Sequence, residues 1–210
     1  RVRSSAASDV YKRQAQAIPV SLGALQRSMG AFNKMTGCIS CHQDGLGRMV
    51  TGAARQHGLT TDPAVDRAQA ERINGALAEL RPLHVKALHD PSAMKQVPLI
   101  EIGDVPPAYG FMLAGMAAHR QPATPAVAAA AMVLARQQFP DGHWQFGIHR
   151  VPMQSSWFTM TGLAIQALQT YAPKERAAEV ADRLRRARAW LQATPTATID
   201  DLAFRLLGLK

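Results

Sequence analysis

The chain's only two thiols and one of its seven histidines fall within five residues, Cys38-Ile39-Ser40-Cys41-His42. Two thiols three positions apart on one turn can reach two neighbouring groups on one edge of a planar macrocycle. An imidazole on the next residue can swing beneath a metal at its centre. Cys-x-x-Cys-His is the attachment pattern for c-type haem, with the histidine as proximal iron ligand. Random placement of these residues would produce it roughly three times in ten thousand. The expectation is one covalent haem c, bound through Cys38 and Cys41 with His42 on the iron. A structural zinc site would need four Cys or His ligands, and here Cys41 and His42 are adjacent. A redox dithiol usually follows a strand in a βαβ unit, and no such context is seen. An inert pair of thiols is the remaining alternative.

A sixth iron ligand could be Met or His, sulfur raising the potential and imidazole lowering it. Met94 lies in an irregular, proline-rich stretch from which a loop could cross to the far face, and it is the tentative sixth ligand. His57, His84 and His89 are alternatives. Met49, seven residues after His42, would stay on the proximal side, and an open site would admit small ligands. For each Met the simpler role is core filling, and for each His a surface or hydrogen-bonded position.

Helices must position these groups. Leu22, Leu25, Met29 and Phe32 recur at spacings of three and four, predicting a helix over Leu22 to Met35. Gly37 breaks it, and a second helix is expected from Leu46 to His57. Asp62 and Pro63 open a third with cap and first-turn signals together, running to Leu80, interrupted near Pro82 and resuming at Val85. Residues 90–107 contain four prolines and read as a loop. Further helices are expected at Tyr109–His119, Pro125–Gln138, Ser155–Tyr171 and Lys174–Gln192. A last one starts at Thr198, with Asp201 completing an approximate capping box. No period-two pattern suggests a sheet. Alanine is abundant and aromatics are only 6%, which favours packed helices. The fold class expected is all-α, antiparallel helix pairs stacked in an array.

Leu134, Gln138, Gly142 and Trp144 follow the spacing Leu-x3-Gln-x3-Gly-x-Trp. Read alone, they make a helix end, a turn at Asp141-Gly142 and an aromatic plug. The pattern resembles the QW repeat of squalene-hopene and related terpene cyclases and prenyltransferases, over about Pro125 to Leu209 and loosely over Val20 to Gly58. The whole looks like bacterial cyclase-like proteins with an embedded cytochrome c motif. That resemblance implies part of an α/α toroid, an incomplete ring. The cyclase acid does not carry over: in Thr198-Ile199-Asp200-Asp201 the first Asp of Asp-x-Asp-Asp is replaced. Asp200 and Asp201 also suit a helix start. Glu101, Asp104 and Asp141 have no spacing that names a general acid.

Residues 1–14, RVRSSAASDVYKRQ, show no period and resemble translated adapter or vector sequence; they are set aside from residues 15–210, read as one helical domain. They carry four basic residues and one acid of a chain whose net charge is +9, leaving +6. Much of the rest lies in the mixed run from Lys174 to Trp190, read as the wet face of a helix. No nucleic-acid module is seen, and no run of about 18 apolar residues suggests a membrane span. Both ends of the chain read as truncated. The haem motif implies an extracytoplasmic, periplasmic setting, because its attachment machinery works on exported chains, although no signal peptide is visible. The leading function is electron transfer with a redox partner protein. An isoprenoid cyclase-like enzyme or lipid-binding module with an accessory haem, touching isoprenoids or a membrane surface, is the alternative. A helical interaction scaffold is the third.

Overall fold

The computed structural model describes residues 3–36, 39–99, 103–148 and 156–210, with side chains from Val10 onward except those of Cys41, His42 and Leu99. Nine α-helices are formed among these residues: α1 (Arg3–Thr36), α2 (Gly47–Gln56), α3 (Pro63–Ala87), α4 (Pro91–Met94), α5 (Val105–Ala118), α6 (Pro125–Arg136), α7 (Trp157–Tyr171), α8 (Ala177–Ala193) and α9 (Ile199–Leu209). A π-helical turn over Cys41–Leu46 leads into α2, and 3-10 turns occupy Val97–Leu99 and Lys174–Arg176. No described residue lies in a strand. The fold is all-α, as the periodicity predicts.

Caps explain most starts. Asp62 accepts from the amides of Ala64 and Val65 ahead of Pro63, and Thr124 accepts from Val127 ahead of Pro125. Thr198 and Asp201 form a complete capping box on α9. Each satisfies amides that the helix itself leaves unpaired.

Three boundaries differ from expectation. Helix α1 begins at Arg3 rather than Leu22 and passes through Pro19. Helix α3 is not interrupted at Pro82 but runs through it. Its buried residues Ile73, Leu77, His84 and Ala87 keep one face on the core, and that packing outweighs the loss of one backbone hydrogen bond. Helix α5 starts at Val105, four residues before the expected Tyr109. Pro106 and Pro107 sit in its first turn, where no N–H is needed. The expected loop therefore shrinks, and it holds the short α4 as well.

Helices α5, α6 and α7 form the centre. Residues 109–116 of α5 are all buried, as are most of α6 and α7. A helix apolar on every side belongs inside. Short connections make α5–α6 and α7–α8 antiparallel pairs. Two helix pairs run parallel. Gly45 faces Phe111, Arg48 faces Gly115, and Gly52 faces Ala118, so the π-turn and α2 ascend α5 together. Gly162 faces Phe204 and Ile165 faces Gly208, so α7 and α9 ascend together. Helices α2, α5, α7 and α9 thus touch in sequence, and α3 packs on α6. Among the described residues no helix is long and apolar enough to cross a membrane.

Candidate cofactor-attachment site

Cys41 and His42, the last two residues of the Cys-x-x-Cys-His segment, open the π-turn. Cys38 lies outside the described residues, and Cys41 and His42 contribute backbone alone, as the first two residues of the turn. The residues around them are closely held. The carbonyl of Ser40 accepts from the amides of Asp44 (3.0 Å) and Gly45 (3.2 Å). Ser40 Oγ accepts from the Gln43 amide at 2.9 Å. In return the Ser40 amide donates to Asp44 Oδ2 at 2.9 Å. This is a reciprocal cap of the kind that fixes a helix start. It lies on Ser40, one of the two residues between the cysteines.

Three helices then pin the turn. From α3, Arg72 pairs with Asp44 Oδ1, and Gln69 Nε2 donates to the Gln43 carbonyl at 3.1 Å. From α1, Ser28 Oγ accepts from Gln43 Nε2 at 3.4 Å. From α5, the Phe111 backbone closes on Gly45 so tightly that a Cβ there would sit 2.6 Å from Phe111 Cβ. Only glycine permits that approach. Asp44 is fully buried, and a buried carboxylate persists only when paired and hydrogen-bonded.

A second buried charge follows one turn later. Arg48 is 1% exposed, and its Nη1 donates to the Asp66 carbonyl at 2.9 Å. Burial pulls its pKa down, and the charges of Asp66 and Asp44 oppose that pull. Asp66 Oδ2 lies 3.5 Å from Arg55 and 3.8 Å from His119 Nδ1. Thr51 Oγ1 holds His119 Nε2 at 2.9 Å. Burial first, then the Arg48 charge, lowers the His119 pKa. None of these polar residues announces itself in the sequence; the only hint is Ser40 four residues before Asp44.

The tentative sixth ligand, Met94, ends α4, which packs against α3. Its side chain is half-buried against the core, and Sδ accepts from Gln137 Nε2 at 3.3 Å. His57 and His89 are exposed, and Met49 packs partly on the core. His84 is fully buried, its Nε2 2.5 Å from the Tyr109 hydroxyl. Burial lowers its pKa to about 4. Among the described residues no three His, Cys, Asp or Glu side chains converge as a metal-holding cluster.

The Leu-x3-Gln-x3-Gly-x-Trp segment forms a clip between helices. Gln138 Nε2 donates to the carbonyls of Gly142 (2.8 Å) and Arg183 (2.9 Å). Trp144, fully buried, donates from Nε1 to the Leu134 carbonyl at 2.7 Å and from its amide to Thr161 Oγ1 at 3.0 Å. Gly142 has φ +111°, and any Cβ there would press into the Arg186 carbonyl, so α6, α7 and α8 are drawn together at this turn. Asp141 holds His143 Nδ1 at 2.6 Å, and His143 stacks with Phe139, Trp157 and Trp190. Trp157 and Trp190, with Phe146, Phe158 and Asp201, line an open cleft of about 270 Å³. Asp201 is committed to its cap, accepting from Ala197 and Thr198 at 2.9 Å, and Asp200 is exposed. Asp104 accepts from the amides of Gly147 and Ile148, and Glu101 lies outside the described residues.

No protein-family model, curated protein or solved structure matches this chain.

Proposed function

We propose that the chain binds one haem c through thioethers at Cys38 and Cys41, with His42 as proximal iron ligand, and serves electron transfer to a redox partner protein. The donor set suits the group: two thiols three apart for two vinyl positions, and an imidazole next in sequence for iron. The observation that carries the reading is the holding of this short segment. Gln43, Asp44 and Gly45 are gripped from α1, α3 and α5, and Asp44 in turn holds the Ser40 amide, as suits a turn that presents a thiol to a macrocycle edge. When bound, the haem would supply one-electron chemistry; Cys38 and Cys41 would tether it and the His42 imidazole would hold its iron. Met94 remains the proposed sixth ligand. Its sulfur accepts from the Gln137 amide, a weak contact for a thioether. An extracytoplasmic location follows from this reading.

The scaffold is proposed to be a segment of an α/α toroid like that of terpene cyclases and prenyltransferases. Support comes from two parallel pairs, α2 on α5 and α7 on α9, beside the antiparallel neighbours α5–α6 and α7–α8. The Gln138–Trp144 clip, tying α6 to α7 and α8, supports it too. A second reading, an isoprenoid cyclase-like enzyme or lipid-binding module with an accessory haem, draws on the aromatic cleft beside Trp157 and Trp190.

The test is expression with a c-type maturation system, followed by a haem-stained denaturing gel and a pyridine haemochrome spectrum. One haem per chain is expected. Cys38→Ala with Cys41→Ala should remove covalent attachment, and His42→Ala should leave it while changing the iron spectrum. A parent chain free of covalent haem sinks the proposal. Quenching of Trp157 fluorescence by an isoprenoid alcohol, lost in Trp157→Phe, would favour the second reading.

A further inference from the structure

We infer that Asp44 and Arg72 are positioning residues for haem attachment: their partly buried ion pair presets the turn that Cys41 opens. The inference rests on the haem reading above. Neither side chain is needed to bond the haem. Each thioether forms by adding a thiol across a vinyl double bond; a C–S bond forms, the thiol hydrogen ends on the neighbouring carbon, and no oxidant is consumed. The difficulty is geometric, because two such additions must occur on one macrocycle from two residues of one short segment. Prior orientation of reacting groups is worth several orders of magnitude in effective concentration.

Asp44 supplies that orientation from both oxygens. Oδ2 holds the amide of Ser40, the residue just before Cys41, at 2.9 Å. Oδ1 holds Arg72 on α3, a helix 28 residues away in sequence. The backbone between the thiols is therefore linked through one carboxylate to a helix of 25 residues packed on α6. The arrangement is costly to keep. Asp44 is fully buried, and Arg72 Nε is buried with no hydrogen-bond partner among the described residues. Apolar side chains would hold α3 against the turn at least as well, since buried ion pairs seldom stabilise more than a good apolar contact. They could not hold the Ser40 amide. The π-helical form of the turn agrees with this, because such turns are rare and cluster at functional sites.

The experiment compares the parent with Asp44→Asn, Arg72→Gln, Arg72→Lys and Ser40→Ala, each produced with the maturation system. Intact mass separates chains with haem on two thioethers from chains with one or none. Trp144→Phe, distant in sequence and destabilised by a lost indole hydrogen bond, is the control for stability. Asp44→Asn and Arg72→Gln should lower the doubly attached fraction three- to tenfold and raise the singly attached share. Arg72→Lys should recover at least half of that loss. Ser40→Ala removes only the hydroxyl that accepts from Gln43 and leaves the Ser40 amide on Asp44, so it should lose less double attachment than the ion-pair variants; the two Arg72 variants keep the idea testable if the Asp44 variant does not fold. Double attachment equal to the parent's in the folded Asp44 and Arg72 variants, or an equal loss in Trp144→Phe, overturns the inference. A parent that takes up no haem overturns the haem reading and this inference with it, whereas a loaded parent with unaffected variants overturns this inference alone.

Discussion

His84 and Tyr109 are buried side by side in the core, and each departs from its ordinary acidity for the same reason. Burial disfavours the charged form, so the His84 pKa falls to about 4 and that of Tyr109 rises. The imidazole is neutral at pH 7. In the unfolded chain an ordinary histidine, near 6.5, takes up its proton first as pH falls. The stability associated with the neutral form is thus complete above about pH 6.5 and is lost as pH drops toward 4. The size is about 2 to 3 kcal/mol. Urea unfolding at pH 7 and pH 4.5 should show a pH-dependent loss in the parent that is smaller by that amount in His84→Gln. An identical pH dependence in the two proteins would refute it. Asp44 and Arg48 belong to the same scale: each is a charge that the interior accepts only because partners from another helix meet it.

Close approach governs the elements. Helix α2 lies on α5 with Gly45, Gly52 and Gly115 at the crossing, so backbone meets backbone over their whole shared length. A Cβ at Gly52 would fall 2.7 Å from both the Cβ and the carbonyl oxygen of Ala118. Neither is the end of a flexible side chain, so the helices themselves must part. Gly52→Ala should therefore destabilise by about 1 to 3 kcal/mol, even though alanine is the better helix former by about 1 kcal/mol. Chemical denaturation measures this; a neutral or stabilising substitution would show that α2 and α5 are not so closely joined. Pro82 makes the complementary point. Its place inside α3 was legible as a break, and the break does not occur, because buried residues of α3 lie on both sides of it, Ile73 and Leu77 before and His84 and Ala87 after.

For the whole molecule, burial separates what folds from what is attached to it. Every residue from Val10 to Val20 is exposed, while the core lies from Leu22 onward. Deleting residues 1–13 should leave the unfolding free energy unchanged within about 0.5 kcal/mol and the thermal midpoint within a few degrees. A larger fall would mean that the first turns of α1 stabilise the fold.

The all-helical class, most helix starts and the Cys38–His42 pattern were legible without coordinates, because each depends on local chemistry. Caps such as Asp62, Thr124 and Thr198 act within three residues, and an apolar period reports one helix face. The haem motif is a spacing, readable as such whatever surrounds it. Tertiary structure decided what local rules leave open. It carried α3 through Pro82 and started α5 at Val105, since packing energy over a long face exceeds a single backbone preference. It brought Arg72 and Gln69 of α3, Ser28 of α1 and Phe111 of α5 onto the turn that follows the cysteines. These residues are 15 to 66 positions from the residues they meet, Gln43, Asp44 or Gly45, and no periodicity or motif can reach across such a distance. The cysteines were visible from composition and spacing alone; the grip on the segment that bears them exists only where three helices meet.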